Sequence, residues 1–147
     1  MNGESADDVA LVTGLYRTTN AAVRELDLRL TREQGITFVQ AVTLLAIDSF
    51  DRPQPHLVAD HLSRQSQTVT GVLDRLERAG HITRQRDLGD RRAVRLALTD
   101  SGRALVQTAS NSLERHAHDM LRGVKARTRA NLRADLDEVE GSIKASR

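Results

Sequence analysis

Residues 57–102 read LVADHLSRQSQTVTGVLDRLERAGHITRQRDLGDRRAVRLALTDSG, and this stretch decides the fold. A short helical segment, Leu57 to Leu62, runs into a polar corner, Ser63-Arg64-Gln65-Ser66. A second helical segment, Gln67 to Ala79, stops at Gly80. Within it Val69, Val72, Leu73 and Leu76 recur at helical spacing and make one apolar stripe. Gln67, Thr70, Gly71, Asp74 and Arg78 take the opposite side, with Thr68 and Arg75 on its flank. Gln65 or Ser66 precedes the first turn, and Ser66 has the better capping chemistry because its hydroxyl accepts an orphan N–H. Gly80 suits a helix end. Gly71 costs about 1 kcal/mol of helix propensity against alanine. Either a partner approaches closely there or an exposed surface tolerates it.

The chain then turns to strand chemistry. Ile82 to Arg86 is a β-like run. In the run from Ala93 to Leu98, Val94, Leu96 and Leu98 alternate with Ala93, Arg95 and Ala97, the period of a half-buried strand. Between them lies a charged turn, Asp87-Leu88-Gly89-Asp90-Arg91-Arg92, with Gly89 for an awkward φ. A carboxylate at Asp90 beside two arginines would orient a guanidinium. Two helices at a tight corner followed by a ribbon with a basic tip make a winged helix-turn-helix. That arrangement brings one helix to a DNA major groove and a basic loop to the backbone or minor groove.

Charge distribution agrees with that geometry. The net charge is only +2, yet residues 61–103 hold 9 Arg against 5 acids, while residues 1–60 hold 5 Arg against 9 acids. Positive charge therefore gathers where phosphate contacts are needed. With no cysteine there is no disulfide, thiolate sensor or Cys-ligated metal site. No apolar run is long enough to span a membrane and the start lacks a leader pattern, so a cytoplasmic protein is expected. Tyr16, Phe38 and Phe50 are the aromatic residues, too few for base-stacking on single strands and expected to serve as core.

Outside the central stretch the pattern is helical. Asp7 or Asp8 can cap a helix from Val9 to Arg32, with Val12, Leu15, Thr19, Ala22, Val23, Leu26 and Leu30 on one face. Val9, Leu11 and Tyr16 widen that face beyond one seam, which suggests a second chain. Thr37 can cap the next helix, Phe38 to Ser49, packed through Val39, Val42, Leu45 and Ala46, with Phe38, Leu44 and Ile47 broadening that side as in a helix buried at the centre. Pro53 and Pro55 place a loop before the short helix. Thr99 can cap a long helix with Leu105, Val106, Ala109, Leu113, Ala117, Met120 and Leu121 inward. After Gly123 a last helix, Ala126 to Ile143, carries Leu132, Leu136, Val139 and Ile143. First and last helices pairing with their copies in a twofold dimer is the economical arrangement. Domain limits are expected at 1–34 and 99–147 for dimerisation and 35–98 for the DNA-binding lobe. His116 and His118, two apart, point in different directions and cannot share a metal.

Gln67-Thr68-Val69-Thr70, Leu73-Asp74-Arg75-Leu76-Glu77-Arg78, Asp90-Arg91-Arg92 and Leu98-Thr99-Asp100-Ser101-Gly102 together resemble the MarR family of bacterial transcription regulators. The resemblance is specific from Val58 to Ala104. It implies a mainly α homodimer with long N- and C-terminal dimerisation helices and a two-stranded β-wing, binding palindromic double-stranded DNA. It also implies repression relieved by a small aromatic effector. The scattered histidines and carboxylates form no local constellation of acid–base pairs or metal ligands, so neither enzymatic activity nor a cofactor is expected. The residues the resemblance assigns to DNA are Gln67, Thr68, Thr70, Arg75, Arg91 and Arg92, with Asp90 as the salt-bridge partner of Arg92; Arg64, Ser66, Gly71 and Arg86, on the same corner, helix and wing, are expected to join them at the DNA. Ser63, Arg64 and Gly71 depart from the family's usual corner glycine, apolar corner residue and long basic residue, so an operator sequence does not carry over. The rival reading is a winged-helix adaptor that meets protein rather than DNA.

Overall fold

The computed structural model describes residues 3–147. In chain order the elements are α1 (Gly3–Gln34), α2 (Phe38–Ser49), α3 (Pro55–His61), α4 (Ser66–Arg78), β1 (Ile82–Arg86), β2 (Val94–Leu98), α5 (Asp100–Met120) and α6 (Ala126–Ala145). The expected class, mainly α with a winged helix-turn-helix and a two-stranded wing, is the one found. Two compact units divide the chain, Met1–Leu113 and Glu114–Arg147.

In the first unit one apolar cluster draws on α2 to α5 and both strands. Leu44, Ile47, Val58, Val69, Leu73, Leu76, Ile82 and Leu96 are its largest buried members. All four stripe residues of α4 lie in it, each burial stabilising by roughly 1.5–3 kcal/mol. A second cluster, Leu30, Ile36, Ala41 and Ala109, joins α1 to α2 and α5. Because α2 packs against α1, α3, α4 and β2, its buried positions go around the helix. They are Ala41, Thr43, Leu44, Ala46 and Ile47, whereas the expected Val39, Val42 and Leu45 are only partly covered.

Local chemistry sets most boundaries. Thr37 caps α2 in a reciprocal box, its hydroxyl accepting from the Gln40 N–H at 3.2 Å and the Gln40 amide oxygen accepting from the Thr37 N–H at 2.9 Å. Asp27 of α1 accepts from the Phe38 N–H at 2.6 Å, placing a carboxylate on the positive end of α2. Pro55 sits in the first turn of α3, where its missing N–H costs nothing.

Some expectations need correction. Helix α1 begins at Gly3, not Val9, so Asp7 and Asp8 lie inside it rather than at its cap. The cap of α4 is Gln65, with no side-chain bond, and Ser66 is already helical. Ser63 at φ 51° turns the chain early, which leaves extended Gln65 at the boundary. Tyr16 is 69% exposed and so is not core in the single chain.

In α5 the buried side within the first unit runs through Gly102, Val106, Ala109 and Ser112. In the second unit His116 is buried, while Ala117 is exposed and Leu121 is 41% exposed, against the expectation that both point inward. The stripe follows the helix geometry through polar residues that an apolar pattern does not reveal. Helix α6 has no buried residue, and Leu132, Leu136 and Ile143 all lie open. Among the described residues no helix is long and apolar enough to cross a membrane.

Candidate nucleic-acid interface

Burying Val69, Val72, Leu73 and Leu76 forces the rest of α4 outward. Ser66, Gln67, Thr68, Thr70, Gly71, Arg75 and Arg78 are all exposed, as is Arg64 in the corner before them. The Thr70 hydroxyl donates to the Ser66 carbonyl at 2.9 Å. What this side chain offers a partner is therefore its methyl group and an oxygen lone pair. A Cβ built on Gly71 meets nothing within 4 Å, so no contact inside the chain demands glycine.

The end of α4 is clasped to the start of α5. Gly80, at φ 81°, reverses the chain without the strain a Cβ would bring. The Thr99 hydroxyl donates to the Gly80 carbonyl at 2.6 Å and accepts from the Gly102 N–H at 3.0 Å, capping α5 as expected. The Thr99 N–H donates to the His81 carbonyl at 3.1 Å, and His81 Nδ1 lies 2.7 Å from the Ser101 hydroxyl. These bonds are the physical content of the Leu98-Thr99-Asp100-Ser101-Gly102 signature.

Strands β1 and β2 pair antiparallel, from Ile82 opposite Leu98 to Arg86 opposite Val94. A main-chain bond from Leu96 N–H to the Pro53 carbonyl, 2.9 Å, ties β2 to the loop before α3. At the tip the Asp87 carboxylate accepts from the Gly89 N–H at 3.2 Å and from the Arg95 guanidinium at 3.0 Å. The Gly89 N–H first and Arg95 second hold the Asp87 carboxyl below its ordinary pKa, against a smaller opposing effect of burial. Gly89 has no positive φ, contrary to expectation, because the Asp87 side chain makes the turn. The expected Asp90–Arg92 salt bridge also takes another form. Asp90 accepts from the Arg92 backbone N–H at 2.9 Å, and the ion pair within the ribbon is Arg95–Asp87. The turn brings the Asp90 carboxylate onto the main chain two residues on, and the Arg92 side chain stays exposed.

Pairing decides which arginines remain available. Of the five acids in residues 61–103, Asp74 and Glu77 bind Arg84, Asp87 binds Arg95, and Asp100 binds Arg103. Arg64, Arg75, Arg78, Arg86, Arg91 and Arg92 are exposed, and none is among the described ion pairs of this region. Five of these six were singled out from the sequence. Arg78 was not, although its place on the solvent side of the stripe was the available signal. Arg84 was also missed, since strand alternation does not say which helix side chains lie beside it.

The MarR family model matches residues 36–94, from the end of the α1–α2 turn to the first residue of β2. This stretch is a MarR-family domain. The HTH-type transcriptional regulator PecS of Dickeya dadantii is 36% identical over 86 residues, which is 58% of this chain and 52% of that protein. The chain spans about half the length of the curated relatives that match it at 30% identity or more. Among solved structures, the transcriptional regulator BldR of Sulfolobus solfataricus gives a TM-score of 0.85 at 22% identity, covering 97% of this chain and 99% of that one. A MepR–DNA complex from S. aureus gives 0.80 at 24% identity, covering 90% and 97%. At such identities the likeness to these structures is one of fold. In the MarR-family domain here, α4 is the outward helix of the pair and the β1–β2 ribbon is the wing.

Proposed function

We propose that this chain is a cytoplasmic transcriptional regulator that binds palindromic double-stranded DNA in a sequence-specific manner as a homodimer. The observation that carries this reading is the set of exposed arginines on the corner, α4 and the wing that stand outside the ion pairs among the described residues, where the neighbouring acids pair with other arginines. Arg64, Arg75, Arg78, Arg86, Arg91 and Arg92 supply phosphate contacts, which provide most of the affinity and make it fall with salt. Ser66, Gln67, Thr68 and Thr70 read base edges, and Gly71 lets the helix approach. A complex of a relative's fold with DNA supports the same docking, since MepR is solved with DNA.

Selection of bound duplexes from a genomic library tests the reading. Enrichment of a palindrome supports it, and retained dimerisation without any duplex binding replaces it with a protein-contact role. Thr70→Ala is expected to leave overall binding intact while reducing discrimination at one base position by about 1–3 kcal/mol. Competition between operator variants measures this, and unchanged preferences remove Thr70 from readout.

The dimer part of the proposal rests on uncovered apolar surface. On α1, Val9 is 59%, Val12 63% and Tyr16 69% exposed; on α6, Ile143 is 54% exposed. Most helical stability in proteins comes from packing an apolar face, and the exposed leucines of α6 are covered in this reading by a second chain. In this reading residues 1–34 and 99–147 hold the dimer and 35–98 meet DNA. Leu132→Asp with Leu136→Asp is expected to raise the dimer dissociation constant about 100-fold or more, from the lost burial alone. Sedimentation across a concentration series checks it.

Repression relieved by a small aromatic effector completes the proposal. An open hollow of about 610 Å³ on α1, lined by Asn20, Val23, Arg24, Asp27, Leu28, Thr31 and Arg32, combines apolar surface with two guanidinium groups, and its one carboxylate, Asp27, is already engaged by the Phe38 N–H. That chemistry suits an aromatic carboxylate, and a panel of such acids added to the selected complex tests it by release of DNA.

A further inference from the structure

We infer that Arg84 is a positioning residue for DNA binding, which masks the Asp74 and Glu77 carboxylates on the outward helix so that α4 can approach phosphates. The inference rests on the DNA-binding reading above and concerns a residue inside the ribbon rather than on its tip. Its geometry is specific. The Arg84 guanidinium donates to Asp74 at 2.7 Å through Nη2 and to Glu77 at 2.8 Å through Nη1. The two acids stand three residues apart on α4, Asp74 half-buried and Glu77 exposed. One planar cation therefore holds both, which a lysine's single ammonium would not reproduce.

A stability role does not account for the cluster. The side chains are 26%, 45% and 42% exposed for Arg84, Asp74 and Glu77, and pairs this open contribute little to folding. The electrostatic role is more demanding. Arg75 and Arg78 are interleaved with Asp74 and Glu77 in sequence, so uncompensated carboxylates there would oppose the arginines next to them. They would also repel the phosphates those arginines bind. Burial is the largest influence on Arg84 and draws its pKa down, but the bonds and charges of Asp74 and Glu77 together hold it above the ordinary value. An arginine guanidinium stays charged wherever DNA binding is measured, with or without these neighbours. The same clamp ties β1, and with it the wing, to α4.

The test compares three proteins with wild type: Arg84→Met, the pair Asp74→Asn with Glu77→Gln, and all three changes together. Arg84→Met is expected to bind both selected and unrelated duplexes about tenfold more weakly at 0.15 M salt. The triple variant is expected to return within about threefold of wild type, because removing the carboxylates removes what Arg84 masks. A purely structural tie would not be rescued in this way. Wild-type affinity in Arg84→Met, or failure of the triple variant to recover, overturns the inference. If Arg84→Met does not fold, the Asp74→Asn, Glu77→Gln protein decides instead. It frees Arg84 on the DNA side, so it should bind unrelated duplexes more tightly with a steeper salt dependence, and unchanged binding overturns the inference. Wild type binding no duplex at all is a different failure, that of the DNA-binding reading itself.

Discussion

Gly102→Ala is expected to destabilise the protein by about 3 kcal/mol or more, the upper end of what a single overpacked site costs. A Cβ at this position would stand 2.0 Å from the His81 carbonyl oxygen and 3.0 Å from its carbon, with Leu98 Cδ2 at 3.4 Å. The first two obstacles are backbone and cannot turn aside as a side chain would. Nor can α5 withdraw freely. Its Thr99 N–H is bonded to that same His81 carbonyl, and the Thr99 hydroxyl bridges Gly80 and Gly102. Relief therefore means opening the clasp that fixes the end of α4 against the start of α5. Urea unfolding should show a lowered midpoint, and DNA binding should weaken with it. Gly14→Ala is the control, because a Cβ there meets nothing within 4 Å on α1 and should add up to about 1 kcal/mol of helix stability. Equal stability of the Gly102 variant and wild type would mean that α5 does not seat on His81.

Removing the wing tip's charge should have the largest effect on binding. Arg91→Ala with Arg92→Ala is expected to reduce affinity for selected and unrelated duplexes alike, by about 10- to 100-fold at 0.15 M salt. Each subunit would lose two phosphate contacts, so the slope of log affinity against log salt should become shallower by roughly 4 in a dimer. Folding should be unaffected. Both side chains are exposed, and the bond from Arg92 to Asp90 is made by its backbone N–H, which alanine retains. Titration at several salt concentrations measures affinity and slope together. A slope equal to that of wild type would remove the wing from the phosphates.

Much of the site was legible because its signals are local. The outward face of α4 follows from four apolar residues at helical spacing, and those four are the ones buried. The limits of β1 follow from the β-like run between the helix end at Gly80 and the charged turn, and the Thr37 and Thr99 caps follow from hydroxyls standing before helical runs. Each of these depends on residues within a few positions of one another. The misassigned features depend on geometry between neighbours of similar chemistry. Asp87 and Asp90 are both acids at a turn with arginines in reach, and only the path of the turn decides which one takes Arg95. Gln65 and Ser66 both precede the apolar stripe of α4, and the φ of Ser63 decides which becomes the cap.

By itself, then, the order of apolar and polar residues determined that this chain builds a winged helix-turn-helix and which side of α4 faces out. Periodicity does this because burial acts on every turn of a helix and every second residue of a strand. Tertiary structure alone decided which charges are spent and which are left over. Arg84 reaches Asp74 and Glu77 only once β1 lies beside α4, and Gly102 becomes indispensable only once α5 meets His81. The physical reason is range: an apolar stripe is a property of one segment, whereas an ion pair or a backbone contact exists only when two segments have been brought together.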